Sequence, residues 1–347
     1  MTIRLDWARG PEAIKTHYFC PFLRIATMTI STIGVDISKD KFDAARLSAQ
    51  GKYKHKKFTN NPEGFAAFLV WLASFGDEEV HIGMEATGAY SIPLAEFLAE
   101  KGYAVSVINP ARIHAFGKAG MGRAKTDKAD AKLIAQFVQE KKPALWTPPP
   151  HNIRELQALL RRVEHLLEMR QMEQSRLDTA SPTVAGSIKT ILELLERELE
   201  TTRERIRKHI NDDPDLRRRG DLLDSIPGIG EATLAHLLVA LSDHYGFKNA
   251  KQAVAHAGLD PRIKESGKWI GQTRLSKCGD PMLRKALYMP TLSAWRHNPA
   301  IRTFCERLKA NGKNGMAVVC AAMRKMIHIA FGVLKSGKPF DPELKPA

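Results

Sequence analysis

The chain has 347 residues, 53 Lys+Arg against 38 Asp+Glu and a formal net charge of +15, with 44% hydrophobic and 26% charged residues. That length suits two or three domains, and the composition excludes a fibre or a disordered chain. The positive balance favours a polyanionic partner such as nucleic acid or a membrane surface, while four widely spaced cysteines without a CxxC pair argue against a zinc knuckle or disulfide scaffold and suit a reducing cytoplasm.

The charge is uneven. Residues 1–27, 28–147 and 148–250 carry nets of +2, +3 and −2, whereas 251–347 hold 18 basic and 6 acidic side chains, a net of +12. The C-terminal segment is therefore the expected phosphate-binding surface. No run of 18 apolar residues occurs, so no membrane span is expected.

Residues 1–27 show no helical or strand period and precede a second methionine, Met28, which reads as a loose leader or an upstream start. From Thr29, STIGVDIS, KFDAARLSA and KYKHKKFTN predict three antiparallel strands. Asn61-Pro62-Glu63 opens a helix with Phe65, Phe68, Leu69 and Leu72 as its apolar stripe. VHIGME (80–85), a helix over about 91–101, the strand AVSVIN (104–109), a helix after Pro110 and a helix over 127–140 complete a mixed α/β domain spanning 28–147. Prolines 148–150 end it. Apolar residues at three- and four-residue steps then predict two long helices over 148–214, broken between Ser181-Pro182 and Gly186: an antiparallel hairpin, read either as a coiled-coil spacer for self-association or as plain bundle core. Residues 215–347 read as a basic, mainly helical domain with glycine-rich turns.

Asp36 lies inside an apolar strand, where an unpaired buried carboxylate would cost several kcal/mol. Glu85 ends the fourth strand, and a parallel pairing of the first and fourth strands would bring both to one sheet edge. Asp127 and Asp130, three apart at a helix start, share a face. Four converging carboxylates need cations between them, and an oxygen-only donor set suits Mg²⁺ or Mn²⁺. Singly, each has a plainer reading: Asp127 and Asp130 as helix caps, Glu85 as a solvated strand end, Asp36 as a turn partner.

In the basic domain, Ser225-Ile226-Pro227-Gly228-Ile229-Gly230 reads as the hairpin of a helix-hairpin-helix, Gly228 and Gly230 letting backbone N–H groups approach a phosphate, or as a simple helix–helix turn. Ser266 precedes a glycine and is flanked by Lys264 and Lys268, which would steady an attacked phosphate; Ser-Gly is otherwise a common turn, and Ser276 is a second candidate nucleophile. Arg274, Lys277, Arg284 and Lys285 add positive charge, and Trp269, Tyr288 and Trp295 are candidates to stack on bases, the last two also for the core.

Taken together, Asp36, Glu85, the Thr126–Asp130 segment, Pro227-Gly228-Ile229-Gly230, Glu265-Ser266-Gly267, Val107–Pro110 and Leu334–Gly337 make the chain, from about Met28 to Asp341, resemble a DEDD-type transposase of the bacterial insertion sequence one-hundred-and-ten family. The resemblance implies an RNase-H-like (RuvC-like) domain whose four carboxylates match Asp36, Glu85, Asp127 and Asp130 and hold Mg²⁺. It also implies a C-terminal serine matching Ser266 that forms a covalent phosphoserine link to DNA, in a composite active site with those carboxylates. Oligomers (dimers or tetramers) built through the hairpin, double-stranded DNA at element ends and target, a noncoding guide RNA and a cytoplasmic, nucleoid-associated location are implied as well. Two rival readings use the same residues: a metal-dependent structure-specific nuclease without a covalent intermediate, and a non-catalytic nucleic-acid-binding scaffold.

Overall fold

The computed structural model describes residues 31–48, 50–76, 79–119, 127–262, 265–266, 269–271 and 274–342, so the leader read over 1–27 lies outside them. The chain divides into two compact units, Met1–Pro148 and Pro149–Ala347.

In the first unit β1 (Ser31–Ile37), β2 (Lys41–Leu47) and β3 (Tyr53–Thr59) form an antiparallel meander. Next come α1 (Pro62–Ala73), β4 (Val80–Glu85), α2 (Ile92–Glu100), β5 (Ala104–Ile108), α3 (Pro110–Ala119) and α4 (Asp127–Lys141). The five strands make one mixed sheet in the order β3-β2-β1-β4-β5, with β1, β4 and β5 parallel. The expected pairing of the first and fourth strands is present. α1 begins where the sequence places it: the Asn61 side chain accepts from the Gly64 N–H and Pro62 occupies the first turn, where its missing N–H costs nothing.

Strand alternation gives the sheet two different faces. Ile33, Val35 and Ile37 point to one face and bury with Phe42, Phe58, Phe65, Phe68, Leu94 and Leu98. Rings stack within this core, Phe42 lying 5.2 Å from Phe58 and 5.4 Å from Phe68. Thr32, Gly34 and Asp36 point to the other face, which α4 covers. The Thr32 hydroxyl donates to the Ala135 carbonyl at 3.1 Å. A Cβ at Gly34 would lie 2.0 Å from the Ala131 oxygen, and one at Gly83, its register partner on β4, 2.2 Å from a Val138 methyl. Two facing glycines thus let the backbone of α4 rest directly on the sheet.

In the second unit α5 (His151–Leu177) and α6 (Pro182–Asp212) form the expected hairpin. Leu166 packs on Leu195 and Leu199, and Ile153, Leu156 and Leu160 share a core with Ile206 and Ile210, which makes the pair antiparallel. The break is shorter than the sequence suggested: α6 starts at Pro182, and Gly186 is helical, its carbonyl accepting from Thr190. A glycine in a long exposed helix costs only about 1 kcal/mol, too little to stop it.

Then follow α7 (Pro214–Asp224), α8 (Glu231–Ala240), α9 (Ala250–His256), the two-residue strands β6 (Pro261–Arg262), β7 (Glu265–Ser266), β8 (Trp269–Ile270) and β9 (Arg274–Leu275), and the helices α10 (Pro281–His297), α11 (Pro299–Ala310) and α12 (Gly315–Ser336). The four short strands were not anticipated; two-residue runs carry no readable alternation. By length and composition α12 is apolar enough to cross a membrane, although it is no uninterrupted apolar run, since Arg324 and Lys325 lie within it. Val318, Ala322, Met326, Ile327 and Ala330 on α12 are instead buried in the core of the second unit.

The contact beneath α4 is backbone to backbone, so Gly34→Ala should lower the thermal stability of the first unit, by about 1–3 kcal/mol or more, whereas Gly186→Ala in α6, a helical position where a Cβ meets nothing, should leave the stability of the second unit unchanged or slightly raised; parallel melting curves test this. In the second unit, burial away from water holds the pKa values of His236, His244 and His256 below their usual 6.5, with the His256 charge adding to the effect at His244. The unfolded chain accepts protons that the folded unit resists, so stability should be full above pH 6.5 and fall as pH drops below it. Urea midpoints at about pH 7.5 and about pH 5.5 should show the loss, and His256→Gln should reduce it.

Candidate active site

The faces of the sheet decide where the carboxylates fall. Asp36 shares the α4 face with Thr32 and Gly34. The β1–β4 register runs to Val35↔Met84, and one further step brings Asp36 level with Glu85, on the same face as Gly83. Neighbouring strands lie about 4.8 Å apart, so Asp36 and Glu85 sit side by side at one edge of the sheet, both half-buried.

α4 runs antiparallel to β1. Thr32 meets Ala135 and Gly34 meets Ala131, so each two-residue step along β1 is matched by a four-residue step back along the helix. A third step brings Asp36 level with position 127, the first residue of α4. Asp130 is half-buried, one turn ahead of the fully buried Ile134. The structure therefore places all four positions at one end of one sheet face: two at strand ends and two on the first turn of the helix above. Among the described residues no three His, Cys, Asp or Glu side chains draw together as a ligand group, and the side chain of Asp127 lies outside the description. The donor chemistry, carboxylate oxygen throughout, fits a hard divalent cation.

One member of this region escaped the sequence reading. Asp43 on β2 pairs across the ladder with Asp36 and, on its other side, with Lys57 of β3. Its carboxylate is almost wholly buried, at 1% exposure, and is held by His55 Nε2 at 2.6 Å and Lys57 Nζ at 3.7 Å. Reading across the strands gives a row: Lys57, Asp43, Asp36, Glu85. The available signal was parity, since Asp43, like Asp36, occupies an α4-facing position of its strand.

The second candidate region lies in the second unit. Ser266 is on β7, paired with Trp269 of β8, inside a segment whose ends are joined by the β6–β9 ladder. Lys264 and Lys268 lie outside the described residues. At the base of the segment the Ser276 hydroxyl donates to Asp260 Oδ1 at 2.5 Å, and the Ser276 N–H donates to the Asp260 carbonyl at 2.9 Å. The Arg284 guanidinium donates to the carbonyls of Ala257, Gly279 and Asp280. Lys285 pairs with Glu164 of α5. Arg274 and Lys277 are exposed.

Gly228 has a φ of +100°, and a Cβ there would lie 2.6 Å from the Ala294 Cβ, so its glycine is required by close packing on α10. Gly230 is exposed and precedes α8, with no side-chain cap on that helix start. Trp295 packs against the core, and Tyr288 is 37% exposed.

Comparison with known proteins covers both regions. A family model of the IS110-type DEDD transposase, described as "Transposase", matches residues 33–180, which include all four carboxylates. A second, "Transposase IS116/IS110/IS902 family", matches residues 220–306, which include Ser266. The chain is 35% identical over 321 residues to the "Pilin gene-inverting protein" of Moraxella bovis, covering 91% of this chain and 99% of that protein. It is similar to the same extent to the protein of that name from Moraxella lacunata. To the "Transposase for insertion sequence element IS1111A" of Coxiella burnetii it is 26% identical, over 77% of this chain and 79% of the other. The mixed five-stranded sheet is consistent with an RNase-H-like DEDD domain, the chain acts on DNA as a transposase or recombinase, and it belongs to the IS110 transposase family.

Proposed function

We propose that this transposase cuts and rejoins DNA through a covalent phosphoserine link made by Ser266, assisted by Mg²⁺ or Mn²⁺ held by Asp36, Glu85, Asp127 and Asp130. The observation that carries the reading is the placement of these four carboxylate positions at one end of the α4 face. It is supported by the position of Ser266 on a short β-pair within the stretch matched by the transposase model.

In this reaction Ser266 Oγ bonds to the phosphorus of a scissile phosphodiester and loses its proton. The bond from phosphorus to one deoxyribose oxygen breaks, and that oxygen leaves as a hydroxyl carrying a proton. Rejoining is the reverse, a DNA hydroxyl displacing Ser266, so the number of phosphoester bonds is conserved and no external energy is needed. A divalent ion, when bound, supplies Lewis-acid stabilisation of charge on the phosphate oxygens. Lys264 and Lys268 flank Ser266 in sequence and add positive charge to the attacked phosphate. Gly230, Arg274 and Lys277 contact the backbone more remotely; Gly228, Arg284 and Lys285 support that surface through their packing and pairs. The pilin gene-inverting relatives bear a name that fits the same cut-and-rejoin chemistry, with inversion in place of insertion as the outcome.

A noncoding RNA guides the choice of site in this proposal, since base pairing can supply sequence selection to a basic protein with few base-reading side chains. Assembly as a dimer or tetramer uses the α5–α6 hairpin, where Met169, Met172, Ile191 and Leu194 are exposed. The protein works in the bacterial cytoplasm, at the nucleoid.

The test incubates protein, divalent metal, element-end DNA and flanking RNA, and resolves the products on a denaturing gel. Wild type should trap DNA on protein and Ser266→Ala should abolish that band; cleavage without an adduct, insensitive to Ser266→Ala, would instead identify a metal nuclease. Glu85→Gln or chelation of the metal should reduce strand cleavage by at least about 100-fold while DNA binding measured by anisotropy persists. Loss of neither activity nor binding on replacing Asp36 and Glu85 would favour a scaffold.

A further inference from the structure

β3 is the edge strand of the five-stranded sheet, so among the described residues one side of it has no neighbouring strand. From residue 52 to 57 it reads KYKHKK, four lysines and a histidine without an acid. The net of +3 over 28–147 conceals this run, because the acids of that segment lie elsewhere. Lys52, Lys54, Lys56 and Lys57 are all exposed. Lys54 and Lys56 lie over the rings of Phe75 and Phe58, at 5.2 and 5.4 Å, which fixes their stems and leaves the ammonium groups at the surface.

Lysines on an edge strand also serve to block pairing with other chains. That explains outward charge, but not the side of the strand facing α4. There, His55 and Lys57 are both tied to the buried Asp43, and Lys57 stands in the same cross-strand row as Asp36 and Glu85. Burying a carboxylate is costly unless it is paired. Here the burial anchors the Lys57 ammonium and the His55 ring two strands away from Asp36, on its face of the sheet. Lys132 of α4, over the Tyr53 ring at 5.0 Å, adds a further positive group beside them.

We propose that β3 is a track for the sugar-phosphate backbone of the DNA strand presented to the carboxylate edge, with Asp43 as the positioning residue that holds Lys57 and His55 on the catalytic face. This rests on the reading of Asp36 and Glu85 as part of the active site. The contact is made to phosphates and is independent of sequence.

The test measures DNA affinity against salt concentration by anisotropy, in chelator and on a Ser266→Ala background, so that neither metal binding nor covalent chemistry contributes. The variants are Lys54→Gln/Lys56→Gln and, separately, Lys57→Gln. Each neutralised contact should reduce the slope of log affinity against log salt by about 0.9 on duplex DNA, and the corresponding arginine variants should retain the wild-type slope. An unchanged slope overturns the track, as does aggregation of the glutamine variants with the slope preserved, which would leave edge protection alone. A slope reduced on an RNA hairpin but not on DNA overturns the assignment to DNA. The adduct gel fails or succeeds independently, so a missing phosphoserine link would not be mistaken for a failure of the track.

Discussion

The arrangement of the first unit depends on the direct seat of α4 on the sheet. Gly34 and Gly83 face each other in adjacent parallel strands, and the space that two side chains would fill is occupied by helix backbone and the Val138 side chain. The seat fixes the height of the helix, and the Thr32–Ala135 hydrogen bond fixes its position along the strand. Once both are set, the first turn of α4 has to lie over the ends of β1 and β4. The placement of positions 36, 85, 127 and 130 at one end of this face thus follows from a packing constraint one alternation back along β1 and β4, at Gly34 and Gly83.

In the second unit the described contacts of the segment bearing Ser266, beyond the β7–β8 pair, lie at its base. Gly258 and Gly279 approach so closely that a Cβ at Gly279 would lie 2.5 Å from the Gly258 nitrogen and 2.3 Å from the His256 oxygen. Arg284 gathers three carbonyls there, and Ser276 and Asp260 bridge the two strands leaving it. A guanidinium committed to three backbone carbonyls is a structural element, whatever charge it contributes at longer range. The same holds for Ser276, whose hydroxyl already serves Asp260 and which accepts from the Cys278 N–H.

Much of the first unit was legible because its signals are local. Alternation identified β1 to β5, the Asn61-Pro62 start identified α1, and the order of elements implied the parallel neighbour of β1. The break between α5 and α6 was misjudged because glycine weakens a helix without ending it when both flanks are strong helix formers. β6 to β9 were illegible, since two-residue strands are defined by their partners and have no pattern of their own. Asp43 was missed for a related reason. Its significance comes from neighbours on two other strands, His55 twelve residues away and Asp36 across the ladder, which only the register reveals. Net charge misled in the same way, because a segment sum of +3 hides an edge strand with no acids.

The row Lys57, Asp43, Asp36, Glu85 also constrains the electrostatics of the site. Like charges directly opposite one another on adjacent strands destabilise a sheet, and Asp43 faces Asp36. At the β3 end the compensation is the ammonium of Lys57 at 3.7 Å and a hydrogen bond from His55 Nε2 at 2.6 Å, both to Asp43. On the other side, beyond Glu85, the register partner is Ile108, which offers none. Above this end of the sheet, the first turn of α4 contributes its N-terminal dipole and the positions of two further carboxylates. In the proposed reaction the further complement to these carboxylates is a divalent cation. The proposed reaction thus gives the sheet two kinds of positive charge: lysines along its edge, suited to holding a polyanion, and a metal ion at its carboxylate end, acting on that polyanion.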